Sequence, residues 1–199
     1  MSQGQETKKR LIQKAAEIFN TRGYSGTAVS DLMDATGLQK GGIYRHFRSK
    51  EELALQAFDY AVETVTPLLF QDFDRQSPLR QLRQFIWNFV HLRSPIPGGC
   101  PMINTACDND DGDPLLKERT RKAVNVCLDR LADAAARAIE QGEIKPDTDA
   151  RALALLVFSA LEGALVVSRL EGSFKPLQAV AGRLEKHLDE CAVAMVRPA

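Results

Sequence analysis

Apolar positions in this chain recur three and four residues apart, and strict alternation is scarce, so the pattern predicts helices rather than a sheet. Leu11, Ile12, Ala15, Ala16 and Phe19 share one face of a first helix from about Thr7 to Arg22. Gly23 fits the left-handed position just past its end. A short second helix opens at Thr27, whose hydroxyl is suited to cap it, buries Val29, Leu32 and Met33, and stops at Gly37. A third covers about Gln39 to Phe47 with Ile43 and Phe47 inward. Ser49 and Glu52 have capping-box spacing and open a fourth helix that runs to about Phe70.

Beyond it the period continues. Leu82, Phe85, Ile86 and Phe89 line one face of a helix from Pro78 to about Leu92, and Ser94-Pro95-Ile96-Pro97-Gly98-Gly99 breaks it. A short helix starts at Pro101, and an acidic loop follows from Asp108 to Asp113. Long helices are expected from Pro114 to about Gln141, from Asp147 or Asp149 to Leu170, and from about Leu177 to Val196. The expected fold class is all-α with about nine helices, divided near residue 50 into domains 1–50 and 51–199.

Charge gives that boundary a meaning. The 26 basic and 26 acidic residues cancel overall. Residues 1–50, however, carry nine Lys and Arg against four acids, a net +5, and the remainder carries 17 against 22, a net −5. A basic head on an acidic body points to a polyanionic partner for the head. The cysteines at 100, 107, 127 and 191 show neither zinc spacing nor a disulfide framework, so no metal or cofactor is expected, and free thiols suit a cytoplasmic protein. The start of the chain lacks the apolar region of a signal peptide. The apolar stretch Ala152 to Val167, interrupted by Ser159, Glu162 and Gly163, is shorter than the roughly 20 residues that span a bilayer, so no membrane partner is expected. No nucleophile–base pair or Gly-rich phosphate loop supports an enzyme.

Three helices in 50 residues, the second and third short and joined by a tight glycine turn, have the layout of a helix-turn-helix. Such a unit projects a short polar helix face into a major groove about 12 Å wide and anchors the opposite face on a small apolar platform. Ile43 and Phe47 are the expected anchors. Gln39, Lys40, Tyr44, Arg45 and His46 are left to face outward, and Gly41 and Gly42 allow close backbone approach. Tyr44 as a plain packing aromatic is the alternative. Lys50 is placed to meet a phosphate, and backbone N–H groups at Thr27 and at the start of the fourth helix are further anion donors. The run Lys8-Lys9-Arg10 reads as a solvated helix face or as an auxiliary backbone contact.

The stretch KKRLIQKAAEIFNTRGYSGTAVSDLMDATGLQKGGIYRHFRSKEEL resembles the DNA-binding region of the tetracycline-repressor (TetR) family along its whole length. The resemblance is carried by A-x-x-x-F in the first helix, Gly23-Tyr24, Thr27, Gly37-Leu38, and Gly42-Ile43-Tyr44-Arg45-His46-Phe47 followed by Lys50-Glu51. It implies a homodimeric repressor with an all-helical effector domain. In that family the residues matching Lys40, Gly41, Tyr44, Arg45 and His46 face DNA, and the one matching Lys50 binds phosphate. The expected partners are a double-stranded DNA operator with two-fold symmetry, a second copy of the chain and an unknown small-molecule effector.

In the body, Leu177, Ala181, Leu184, Leu188, Cys191 and Met195 fall at heptad spacing. The preceding helix is apolar almost all round, Leu161 and Leu165 included, with small Ala160, Gly163 and Ala164. Both helices are expected at a dimer interface, by the four-helix logic of paired subunits and by the resemblance. An internal core pair is the alternative. Phe85, Phe89, Cys100, Met102 and Phe158 are candidates to line an effector pocket, although any one of them is as readily plain core. Gly99-Cys100-Pro101-Met102-Ile103-Asn104 resembles a G-C-P-x-x-N segment found in a subset of TetR-like regulators. There Cys100, at a helix start, is either a small packed residue or a reactive thiol.

Overall fold

The computed structural model describes residues 2–109 and 112–193. Met195, the expected helix end at Val196, and Asp110 and Asp111 of the acidic loop lie outside the described residues. The described residues form nine α-helices and one 3-10 turn, in the all-α class expected. In chain order the helices are α1 (Gln3–Arg22), α2 (Val29–Thr36), α3 (Lys40–Tyr44), α4 (Lys50–Leu69), α5 (Pro78–His91), α6 (Pro101–Asp108), α7 (Pro114–Glu140), α8 (Ala150–Leu170) and α9 (Lys175–Cys191). The 3-10 turn Phe73–Arg75 lies between α4 and α5.

Helix ends differ from the pattern where a local device was not visible in the periodicity. α1 begins well before Thr7 because Ser2 and Gln5 form a capping box: the Gln5 N–H donates to the Ser2 hydroxyl at 3.4 Å and the Ser2 N–H to the side-chain amide oxygen of Gln5 at 3.0 Å. α2 begins at Val29 rather than at Thr27, with Ala28 as its N-cap residue and the Ala28 N–H donating to Asp31 at 2.7 Å. α9 begins at Lys175 because Pro176 falls in its first turn, where a missing N–H costs nothing. α8 starts where expected, capped by Asp149, which accepts from the Ala152 N–H at 2.9 Å.

By packing, the chain divides into two compact units. The first combines the chain up to Thr66 with Ser94–Val124, and so holds α1, α2, α3, most of α4, α6 and the start of α7. Its core is Leu11, Ala15, Leu32, Ile43, Phe47, Leu53 and Ala57. The second combines Pro67–Arg93 with the chain from Asn125 on. In it, Arg130 lies over the rings of Phe70 and Phe73 at 4.0 and 5.2 Å and pairs with Asp74 at 2.9 Å. The Asn88 amide donates to the carbonyls of Leu69 and Gln71 at 3.0 and 2.9 Å, satisfying groups left open at the end of α4. Arg83 of α5 pairs with Glu185 and Asp189 of α9.

The heptad seam of α9 is turned inward. Leu177, Ala181, Leu184 and Leu188 are 1, 8, 4 and 0 % exposed within a single chain, on a helix that packs against α8 and α5. These residues are thus covered largely by their own chain. Leu161 of α8 is fully buried in the same way, Leu165 is half-buried, and Cys191 is half-buried with its sulfur 3.7 Å from His187. Seven-residue spacing shows that a face is covered and not which helix covers it. α8 is longer than the apolar stretch suggested, with 21 residues, and its most apolar 18-residue segment has a mean hydropathy of 1.9; length and composition of this kind are shared by core helices of globular proteins.

This packing gives a direct expectation for stability. Leu188→Glu puts an unpaired carboxylate at a fully buried site and should cost about 3 kcal/mol or more, read as a lower denaturation midpoint. An unchanged midpoint contradicts the inward seam.

Candidate nucleic-acid interface

α3 has only five residues, and its ladder is short: the Ile43 N–H donates to the Gln39 carbonyl at 3.2 Å and the Arg45 N–H to Gly41 at 3.1 Å. Ile43 and Phe47 are 3 and 2 % exposed and fix the helix to the platform beneath. Lys40, Gly41, Tyr44 and Arg45, at positions i, i+1, i+4 and i+5, are all exposed and share the opposite face. Gln39, the N-cap residue, is exposed beside them, and His46 is half-buried. A Cβ at Gly41 meets nothing within 4 Å, so no neighbour within the chain requires glycine there. Lys8 of α1, read from sequence only as part of a charged run, has its ammonium 5.1 Å from the centre of the Phe47 ring.

Two of the expected contact residues have engagements inside the chain. Thr27 is 2 % exposed, its hydroxyl donates to the Gly23 carbonyl at 2.6 Å, and its N–H donates to the Tyr24 carbonyl at 3.3 Å. Its part is in the turn between α1 and α2, and it is not the cap of α2. The Lys50 ammonium donates to the Tyr24 carbonyl at 2.6 Å and sits 4.1 Å from the Tyr24 ring centre, which leaves two N–H donors. Burial lowers the pKa of Lys50 from its usual value.

Tyr24 is the residue that sequence reasoning undervalued, quoting it only within Gly23-Tyr24. Its hydroxyl donates to Glu51 at 2.7 Å. Burial first, and then this bond to a carboxylate, push the phenol well above its ordinary range, while the same bond holds Glu51 below the usual carboxylate range. The pair therefore stays in its hydrogen-bonded form around neutral pH.

The remaining candidates lie elsewhere. Phe85, Phe89 and Phe158 are buried in the second unit, where the Phe70 and Phe85 rings are 5.1 Å apart and those of Phe85 and Phe89 6.2 Å. Cys100 and Met102 belong to the first unit, Cys100 as the N-cap residue of α6 and Met102 fully buried. Cys107 is exposed, and burial pushes the Cys127 thiol up to about 12. Among the described residues no group of His, Cys, Asp and Glu could hold a metal ion.

This arrangement of an anchored short helix with a cationic and aromatic outer face matches known proteins along the chain. Residues 11–57 match the profile "Bacterial regulatory proteins, tetR family", and residues 78–184 match "Tetracyclin repressor-like, C-terminal domain". A TetR transcriptional regulator from Chloroflexus aurantiacus J-10-FL is 40 % identical, with 96 % of this chain and 98 % of that one aligned at a TM-score of 0.91. A TetR-family regulator from Cytophaga hutchinsonii is 28 % identical over 98 % of both chains, with a TM-score of 0.87. The HTH-type transcriptional repressor ComR of Escherichia coli (strain K12) is 29 % identical over 180 residues, 86 % of this chain and 83 % of ComR. With both profiles matched in order and a relative aligned almost end to end, the chain belongs to the TetR family and is a transcriptional regulator rather than an enzyme.

Proposed function

We propose that the chain is a homodimeric repressor that binds a two-fold symmetric operator in double-stranded DNA and leaves it when a small molecule binds the body. Residues 1–50 read DNA, and 51–199 carry the effector site and the dimer contact. The observation that carries this reading is the outward face of α3, where Lys40, Tyr44 and Arg45 stand exposed around a glycine that internal packing does not require. Gln39, Lys40, Gly41, Tyr44, Arg45 and His46 are assigned to the groove, and Lys50 to a phosphate through the donors it has left. The name repressor printed for ComR supports the direction of control.

For the effector site, the apolar and aromatic group of Phe85, Phe89 and Phe158 in the second unit has the composition that small-molecule sites favour. The chain also belongs, in this reading, to the subset of regulators with a G-C-P-x-x-N segment, here Gly99 to Asn104.

The dimer contact moves from the α9 seam to the outer face of α8. Leu155, Leu156, Val166 and Val167 are each 43 % exposed and Leu170 is 83 % exposed, with exposed Ala152, Ser159 and Gly163 on the same face. A contiguous apolar face on a protein of this size marks an interaction surface. A second copy covers it symmetrically, and Gly163 lets the two helices approach closely.

Three measurements check these points. Tyr44→Ala should weaken binding to the selected operator about tenfold or more without lowering the melting midpoint, and unchanged affinity removes Tyr44 from the interface. Val166→Glu should yield a folded monomer by analytical ultracentrifugation, and a dimer of unchanged affinity rules out the α8 face. In the folded protein Cys107 should alkylate first and Cys127 last, because one is exposed and the other is buried with a raised pKa. Modification of Cys100 ahead of Cys107 contradicts its placement as a packed residue.

A further inference from the structure

We infer that α6 is a positioning element of the DNA-reading head: Asn104 and Asp108 hold the end of α1 and the turn that follows it, and operator binding depends on that hold. The inference rests on the proposed DNA-binding function and assigns the G-C-P-x-x-N segment a role in it. The compact unit that contains α1, α2 and α3 also contains α6, from a part of the sequence some 50 residues beyond the helix-turn-helix.

Two sets of contacts make the hold. At one end, the buried Asn20 amide donates to the carbonyls of Pro97 and Gly99 at 2.7 and 3.0 Å. The Asn104 amide returns the contact, donating to the Asn20 carbonyl at 3.0 Å, to the Asn20 side-chain oxygen at 3.0 Å and to the Gly98 carbonyl at 2.7 Å. Gly98 has φ +103°, and a Cβ there would lie 2.4 Å from the Asn20 carbonyl oxygen, so the backbone approach demands glycine. Within the segment the Gly99 carbonyl and the Asn104 amide make contacts with Asn20, and the close approach falls at the adjoining Gly98.

At the other end, one carboxylate oxygen of Asp108 accepts from the Tyr24 N–H at 2.6 Å and the Ser25 N–H at 3.2 Å. Gly23, at φ +78°, would place a Cβ 2.7 Å from the other oxygen, so a side chain at 23 displaces the carboxylate. The Tyr24 so held is the same residue whose carbonyl takes the Lys50 ammonium and whose hydroxyl meets Glu51. Asp108 thus fixes the turn that leads into α2, on which α3 packs, and fixes the acceptor that orients Lys50 at the start of α4. Losing it frees both the direction of α3 and the phosphate donor without removing any residue that touches DNA.

The test uses the full chain and a duplex enriched by it from a random-sequence pool. Asp108→Ala and Asn104→Ala should each weaken binding to that duplex about tenfold at a temperature where far-UV circular dichroism shows each variant still fully folded, with the oligomeric mass of the unmutated chain. Hydrogen exchange at the Tyr24 and Ser25 amides should quicken in Asp108→Ala. Gly23→Ala should weaken binding as well, through strain at φ +78° and displacement of the Asp108 carboxylate. Affinity of Asp108→Ala and Asn104→Ala within about twofold of the unmutated chain overturns the inference. So does a loss that appears only as the folded fraction falls, which makes α6 a stabilising contact alone. If the unmutated chain enriches no sequence, the DNA-binding reading itself fails. Unchanged exchange at Tyr24 and Ser25 in Asp108→Ala shows, independently of DNA, that the hold on the turn is not there.

Discussion

A five-residue helix does not hold itself together: it is far below the dozen or so residues at which an isolated helix becomes marginal in water. α3 exists because Ile43 and Phe47 are buried against the rest of the head, and everything its outer face does depends on that anchorage. The sequence of α3 makes the dependence sharper. Gly41 and Gly42 each weaken a helix by about 1 kcal/mol relative to alanine, and neither has a positive φ or an internal clash that calls for glycine. Local stability has been given up for a smooth surface, and the platform beneath makes up the difference.

That platform was partly legible in the chain. The anchors Ile43 and Phe47 and the outward Gln39, Lys40, Tyr44 and Arg45 followed from helical period, because a short helix with two apolar positions has one way to face; His46, expected outward with them, is half-buried. The engagements of Thr27 and Lys50 did not follow. Each depends on the backbone carbonyl of a turn residue, Gly23 or Tyr24, and hydropathy carries no record of where a carbonyl points. Hold on the turn by Asp108 was hidden for a related reason: its partner N–H groups lie 84 and 83 residues away in sequence.

The body shows the limit of periodicity from the other side. The α9 heptad was real, yet it faces α5 and α8 of its own chain, while the exposed apolar face belongs to α8. A helix apolar on nearly every side, as α8 is, can serve a core with one face and a partner with another, and composition cannot apportion the two. Its boundaries were readable because Asp149 supplies a cap, whereas those of α1 and α9 shifted with a capping box and a first-turn proline. The proposed dimer follows from this apportionment: inward leucines stabilise the chain, and the outer valines and leucines remain for a second copy.

Sequence-specific reading of the major groove by α3 is the central claim. It is tested most directly by dimethyl sulfate protection of a duplex enriched by the unmutated chain, since this reagent methylates guanine N7 in the major groove. Protection should appear in two blocks related by two-fold symmetry, with centres about one helical turn or a multiple of it apart. Protection spread evenly along the duplex, or confined to backbone probes with guanine N7 left open, would contradict it.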